Sequence, residues 1–248
     1  MRVFLVIVFC SLLRLWSFSQ GSESIFGEQF LYKINYGWIS IGEARFTHHP
    51  GEGTLGLDVL AQTTGIINWI ARLKDSLYTV VNVRTLKPIT TFQDRNEGKY
   101  NRKESDYFDF EMDSATIFIH RRRKDEAETI ERRSIHLKDS TYDMLSGYAY
   151  LRSQNWNLFQ PKDSLMFNMF YEGKYYDFGV EYIEKTVIET SLGIFPAHLA
   201  YILFPLSSTF PEKHMVKVWM SADDRKWPLQ IEAKMKFGKA ICELVEVQ

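Results

Sequence analysis

Beyond residue 25, apolar and polar positions alternate with a period of two, in short runs broken by glycine and polar turns. The clearest run is Leu229 to Phe237. Leu229, Ile231, Ala233, Met235 and Phe237 share one phase, and Gln230, Glu232, Lys234 and Lys236 the other. Such a strand has one dry side and one wet side. Gly238-Lys239 then turns the chain into a last strand, Ala240 to Val247. Leu165, Phe167, Met169 and Tyr171 run into Glu172-Gly173-Lys174, and Tyr176, Phe178, Val180 and Tyr182 return.

The same reading places earlier strands at Gln29–Tyr36, Ile39–His48, Leu55–Thr63, Ser76–Val83, Ile89–Asn96, Tyr100–Phe110, Thr116–Arg122 and Glu128–Leu137. Later ones fall at Val187–Leu192, His198–Leu203 and Val216–Ser221. So many short strands at hairpin spacing predict an all-β protein, a large antiparallel curved sheet forming a half-barrel, barrel or sandwich. Two stretches change to helical spacing. Gly65 to Leu73 carries Ile66, Ile67, Trp69 and Ile70, which predicts a short helix. Ser140 to Ser153 predicts a second one, with Ser140 and Asp143 as its capping box and Met144, Leu145, Tyr148 and Leu151 as its apolar stripe. No Pro/Gly-rich linker flanks it, so residues 20–248 are read as one domain.

Residues 1–19 differ in character. Arg2 is followed by an apolar run from Val3 to Leu13, and Ser17 and Ser19 put small residues before Gln20. The run is too short to span a bilayer and Arg14 ends it, so the segment is expected to be a secretory signal peptide cleaved after Ser19. Two cations leave with it, so the formal charge of −1 becomes −3. A nucleic acid partner would call for a basic domain, and this is not one. Of the two cysteines only Cys242 lies beyond residue 19, so an internal disulfide is not expected. The 45% hydrophobic content must then hold the fold through its core.

Motifs for chemistry are sparse. His48, His49, His120, His136, His198 and His214 fit no zinc spacing, and no phosphate loop, dinucleotide fingerprint or Gly-x-Ser-x-Gly elbow occurs, so neither cofactor nor metal is expected. Cys242 alternates into the last strand as a small core residue. Asp223-Asp224 is read as satisfying turn amides. Asp143 and Arg152 are too far apart to pair along a helix, and each is expected to anchor it to the sheet. Residues 120–133 hold six Lys/Arg and four Asp/Glu, a solvated mixed-charge edge, with an anionic glycan or lipid headgroup as the sharper alternative.

Four stretches resemble an exported family catalogued as domain of unknown function 3108. Gly27-Glu28, Leu31-Tyr32, Tyr36-Gly37 and Gly42-Glu43-Ala44 resemble its opening hairpin. Leu86, Pro88, Phe92, Glu97-Gly98 and Tyr100 are similar to its next segment, and Asp143, Leu145-Ser146 and Tyr150-Leu151-Arg152 to its central helix. Trp219, Ser221, Asp223-Asp224, Pro228, Gly238 and Leu244 resemble its closing hairpin. The chain departs at Ala197, where many members would carry a cysteine. The resemblance implies a periplasmic or outer-membrane-facing β-protein, and no activity.

The reading that joins these observations is a non-enzymatic cell-envelope protein binding an apolar or amphipathic ligand such as a lipid, or a partner protein, on a curved sheet. Peripheral membrane association is compatible with it. The residues expected at the ligand are Ile66, Trp69, Ile70, Tyr150, Arg152 and Trp219, with the 65–73 segment as a lid. The rivals are an assembly factor without a pocket and a hydrolytic or glycan-active enzyme using carboxylates.

Overall fold

The computed structural model describes residues 27–248 except 66, 71, 98–99, 124–126, 208–209 and 236, and omits the side chains of 69, 70, 97, 100 and 123. The expected signal peptide and Ile66 therefore lie outside the described residues. Fifteen strands form one sheet, numbered in chain order. The first eight are β1 (Gln29–Tyr36), β2 (Ile39–Gly51), β3 (Thr54–Thr63), β4 (Leu73–Asn82), β5 (Pro88–Glu97), β6 (Tyr100–Asp109), β7 (Ser114–Arg123) and β8 (Thr129–His136). The others are β9 (Thr141–Tyr142), β10 (Ser164–Tyr171), β11 (Lys174–Thr190), β12 (Gly193–Leu203), β13 (Val216–Ser221), β14 (Pro228–Lys234) and β15 (Lys239–Val247).

The spatial order is 8-7-6-5-4-3-2-1-15-14-13-12-11-10-9. The chain steps outward strand by strand from β1 to β8, crosses over, and steps back from β9 to β15, which pairs antiparallel with β1. Only the short β9 runs parallel to its neighbour. The order dictates the curl. Fifteen strands laid flat would be roughly 65–70 Å wide at about 4.8 Å per step. Yet the two edge strands, β8 and β9, are joined by residues 137–140 alone, a link that reaches at most about 18 Å. The sheet must roll until its edges approach each other. Bulges at Leu31/Tyr32, Val80/Val81, Tyr182/Glu184 and Trp219/Met220 add twist along the way. The roll stays unclosed, and its edges are zipped by a satellite core in which Phe108, Ile117, Ile119 and Leu137 meet Phe170 of β10.

Two helices interrupt the sheet. α1 is a single turn, Ile67–Ile70, between β3 and β4, while Leu73 already begins β4. α2, Met144–Leu151, begins later than its sequence pattern suggests. Ser140 sits at φ +53°, and residues 141–142 pair with β10 instead of coiling. The capping box is therefore Asp143 with Ser146, not Ser140 with Asp143: Asp143 Oδ1 accepts from the Ser146 amide at 2.8 Å and Ser146 Oγ from the Asp143 amide at 2.8 Å.

α2 lies inside the rolled sheet, with Leu145, Tyr148 and Leu151 buried in the main core. Gly147 makes this approach possible, because a Cβ there would come within 2.9 Å of the Phe167 ring. Trp156, just beyond α2, is buried beside Tyr182 and His198. Most of the aromatic content is packing, as strand propensities favour. The closing alternation from Leu229 is buried through Ala233, Met235 packs partly buried against the same core, and Phe237 lies in the β14–β15 turn and is exposed. The long β11 replaces two shorter expected strands, because the bulge at Tyr182/Glu184 lets pairing with β12 continue past the change of phase.

Strand pairing joins the two arms of the sheet through β1 and β15, and the buried Tyr32 hydroxyl donates to the Pro228 carbonyl at 3.0 Å across that junction. A chain ending at Phe210 lacks β13 to β15 and leaves β1 and β12 each with one neighbour instead of two. It is expected to show no cooperative thermal transition by circular dichroism. A sharp melt of the truncated chain would mean that the arms fold separately.

Candidate functional site

The strands place the six residues expected at a ligand in different surroundings. Trp69 and Ile70 belong to α1, and their side chains lie outside the description, as does Ile66. Tyr150 is half-buried, stacked on Tyr142 at 4.5 Å and edge-on to Phe167. Trp219 alternates with the buried Val218 and Met220, so it faces the outside of the sheet, opposite Leu199 and Gln230. Tyr150 and Trp219 are thus on opposite sides of the sheet.

Arg152 is the C-cap of α2 and fully buried. Its Nη2 donates to Glu28 Oε2 at 2.6 Å and to the Arg225 carbonyl at 3.2 Å, and its Nη1 donates to the Tyr148 hydroxyl at 2.9 Å. Burial works against its charge, but Tyr148 and Glu28 outweigh burial and hold the guanidinium above its ordinary value. His48 Nδ1 lies 3.2 Å from the Glu28 carbonyl, which can only accept, so Nδ1 carries the hydrogen. Nε2 is left to accept from the Tyr148 hydroxyl and from Arg152 Nη1. Burial, then the Arg152 charge, hold His48 well below the usual histidine range and keep it neutral.

At the other end of α2, Asp143 Oδ2 accepts from Thr79 and, at 3.0 Å, from Thr91. Asp143 and Arg152 thus fasten the helix to the sheet at both ends.

Above α2, the inner face of β4–β6 is polar, and period-two reasoning gave no notice of it. The register stacks three rungs: Asp75, Arg95 and Arg102; Leu77, Gln93 and Glu104; Thr79, Thr91 and Asp106. Glu172 reaches this layer from the β10–β11 turn and pairs with Arg95, and with Arg102 at 3.5 Å. Glu172 and Gly173 both have positive φ, +52° and +72°, the signature of a tight hairpin turn that aims the carboxylate inward. Arg102 also pairs with Glu104.

Glu104 and Asp106 are each 1% exposed, and among the described residues Glu104 Oε1 and Asp106 Oδ1 have no hydrogen-bond partner. Burial, then the neighbouring Glu104 and Asp143, push the Asp106 carboxyl up to about 8, and burial also raises Glu104. Two carboxyls with raised values are what acid–base chemistry would need, but at this burial a substrate meets neither unless the sheet opens. Among the described residues no group of three or more His, Cys, Asp or Glu is arranged to hold a metal ion. Cys242 is buried. Asp223 accepts from Ser221, Arg225 and the Lys226 amide, and so shapes its turn.

The outside carries two further features. The tips of the β1–β2 and β14–β15 hairpins, adjacent because β1 pairs with β15, expose Trp38 (92%) and Phe237 (75%) together with Tyr36 and Ile39. The Tyr36 hydroxyl donates to the Phe237 carbonyl and ties the tips together. The charged run at 120–133 is laced internally, with His120 on Glu128, and Arg121 and Arg133 on Glu131.

The Asp106 carboxyl sets a pH dependence. An unfolded aspartate titrates near 3.8, so between about pH 4 and 8 the folded chain keeps a proton that the unfolded chain releases. Its contribution to stability is complete below pH 4, falls as pH rises to about 8, and is flat above. A shift of that size corresponds to as much as about 6 kcal/mol. Asp106→Asn is expected to raise the thermal midpoint at pH 9 and to leave it unchanged at pH 4. Equal gains at both values would show that the buried proton is not the cause.

Comparison with known proteins agrees with this architecture. The family described as "Protein of unknown function (DUF3108)" matches residues 31–245. No curated protein matches. Among solved structures, a "Beta-barrel-like Protein of Domain of Unknown Function DUF1849" from Brucella abortus superposes with a TM-score of 0.56 at 6% identity, covering 90% of this chain and 97% of that one. At that identity the likeness is one of fold. An unclosed, rolled β-sheet over nearly its whole length and a family match over most of it together place this chain in the DUF3108 family.

Proposed function

We propose that this chain is an exported, non-catalytic protein of the cell envelope that rests against a lipid surface through the rim of its sheet. The observation that carries this reading is the pair of adjoining hairpin tips, where Trp38 and Phe237 stand almost wholly in solvent beside Tyr36 and Ile39. Aromatic side chains of this kind are at home where an apolar layer meets water. Exposed cations near the rim, Arg72, Lys74 and Lys234, suit an anionic headgroup layer. Export rests on the pattern of residues 1–19.

The filled interior supports the same reading. α2, Trp156 and the charged layer occupy the concave side, so an amphipathic partner finds apolar surface at the rim instead. Burying two aromatic side chains is worth at most about 7–12 kcal/mol at about 25 cal/mol per Å². Association alone costs about 4–15 kcal/mol, so the contact is peripheral and reversible.

Co-sedimentation with vesicles of phosphatidylglycerol and phosphatidylcholine tests the proposal. Wild type is expected to sediment with the anionic vesicles, and Trp38→Ala with Phe237→Ser to weaken this at least about tenfold. The melting temperature should hold, because Trp38 lies outside the core. Failure of the wild type to sediment, or equal sedimentation of the double variant, would contradict the proposal.

A further inference from the structure

The outer face of β4–β8 carries a row of aromatic rings that the rim does not involve. Tyr78 on β4 pairs with Phe92 on β5, Phe92 with Ser105 on β6, Ser105 with Phe118 on β7, and Phe118 with Arg132 on β8. The row crosses five strands at right angles, roughly 19 Å at about 4.8 Å per step. Tyr107 stands edge-on to Phe118 at 5.9 Å, and the Arg132 guanidinium lies over Phe118 at 5.5 Å. Tyr78, Phe92, Tyr107 and Phe118 are between 36% and 53% exposed, so each presents a ring to solvent.

Cross-strand aromatic pairs stabilise a sheet without any ligand, and that accounts for the packing. It does not account for the charges. Lys103 on this face is neutralised by Asp94 at 2.9 Å, and His120 meets Glu128. Arg132, which ends the row on β8, has no carboxylate partner among the described residues. Aromatic platforms interleaved with a hydroxyl and ending in a guanidinium group that no carboxylate neutralises match an extended polymer of sugar rings bearing carboxylates. The apolar faces of the sugars stack on the rings, their hydroxyls meet Ser105, and their carboxylates meet arginine. A lipid layer or an apolar protein surface would call for a continuous apolar area, which the intervening polar side chains break. A nucleic acid would call for a basic chain.

We propose that the outer face of β4–β8 is a binding track for a carboxylated polysaccharide, with Tyr78, Phe92 and Phe118 as stacking platforms and Arg132 as the carboxylate anchor. The test is native electrophoresis of the full chain through gels containing polygalacturonate, neutral dextran or polyglutamate. Retardation by polygalacturonate alone is expected, with at least about tenfold weaker binding for Phe118→Ala, as for loss of one stacking ring, and for Arg132→Gln. Arg132→Gln removes no core side chain, so it keeps the test decisive if Phe118→Ala fails to fold. The rim variant Trp38→Ala should bind polygalacturonate as wild type does, which separates this site from the lipid reading. No retardation by polygalacturonate, equal retardation by polyglutamate, or retardation unaltered in Arg132→Gln would overturn the assignment.

Discussion

A guanidinium taken out of water costs several kcal/mol unless acceptors replace its hydration. Arg152 is fully buried and meets that cost with four acceptors on its terminal nitrogens: the Glu28 carboxylate, the Tyr148 hydroxyl, His48 Nε2 and the Arg225 carbonyl. These groups come from the entry to β1, from α2, from β2 and from the β13–β14 turn. One side chain therefore ties the internal helix to both sides of the junction where the ends of the chain meet. With Asp143 held by Thr79 and Thr91 at the opposite end, α2 is fastened within the rolled sheet. Removing one partner of such a buried pair leaves a stranded charge, which is why the network acts as a unit.

Two different interiors follow from that placement. Around α2 the concave side is apolar, one continuous core from β1 to β4 and from β10 to β15. Over β4–β6 it is ionic, with Arg95 and Arg102 bridged by Glu172 from the β10–β11 turn. That bridge joins the outward arm of the sheet to the returning arm where no strand pairing does, and Phe108 and Phe170 reinforce it. The sheet is unclosed in its hydrogen bonds and closed by its side chains. With the inside occupied, the surfaces left for recognition are the aromatic rim and the outer face.

Much of this was legible in the alternation. Strands such as Leu229–Ala233 and the turn at Glu172-Gly173 follow from period two and turn chemistry, and Asp143 and Arg152 stood out as helix anchors. What stayed illegible has physical causes. In β6, Arg102, Glu104 and Asp106 alternate with Lys103, Ser105 and Tyr107, so neither phase is apolar, and the pattern names a strand without naming its inner face. Phe108, in phase with the charged set, was the available signal. Phe92, Phe118 and Trp219 are apolar yet face outward, because register with their neighbours decides the face. The start of α2 was displaced because pairing with β10 overrides local capping at Ser140.

Fastened by Arg152 and Asp143 at its two ends, α2 is a fixed plug of the rolled sheet, unlike the lid that the sequence suggests at residues 65–73. Native-state amide exchange of residues 144–151 addresses it directly, because a plug opens only when the whole sheet unfolds while a lid opens alone. The account predicts that these amides exchange as slowly as those of β1 and β15, with the same denaturant dependence as global unfolding. Exchange of α2 through a faster, denaturant-insensitive opening, with β1 and β15 still protected, would contradict it.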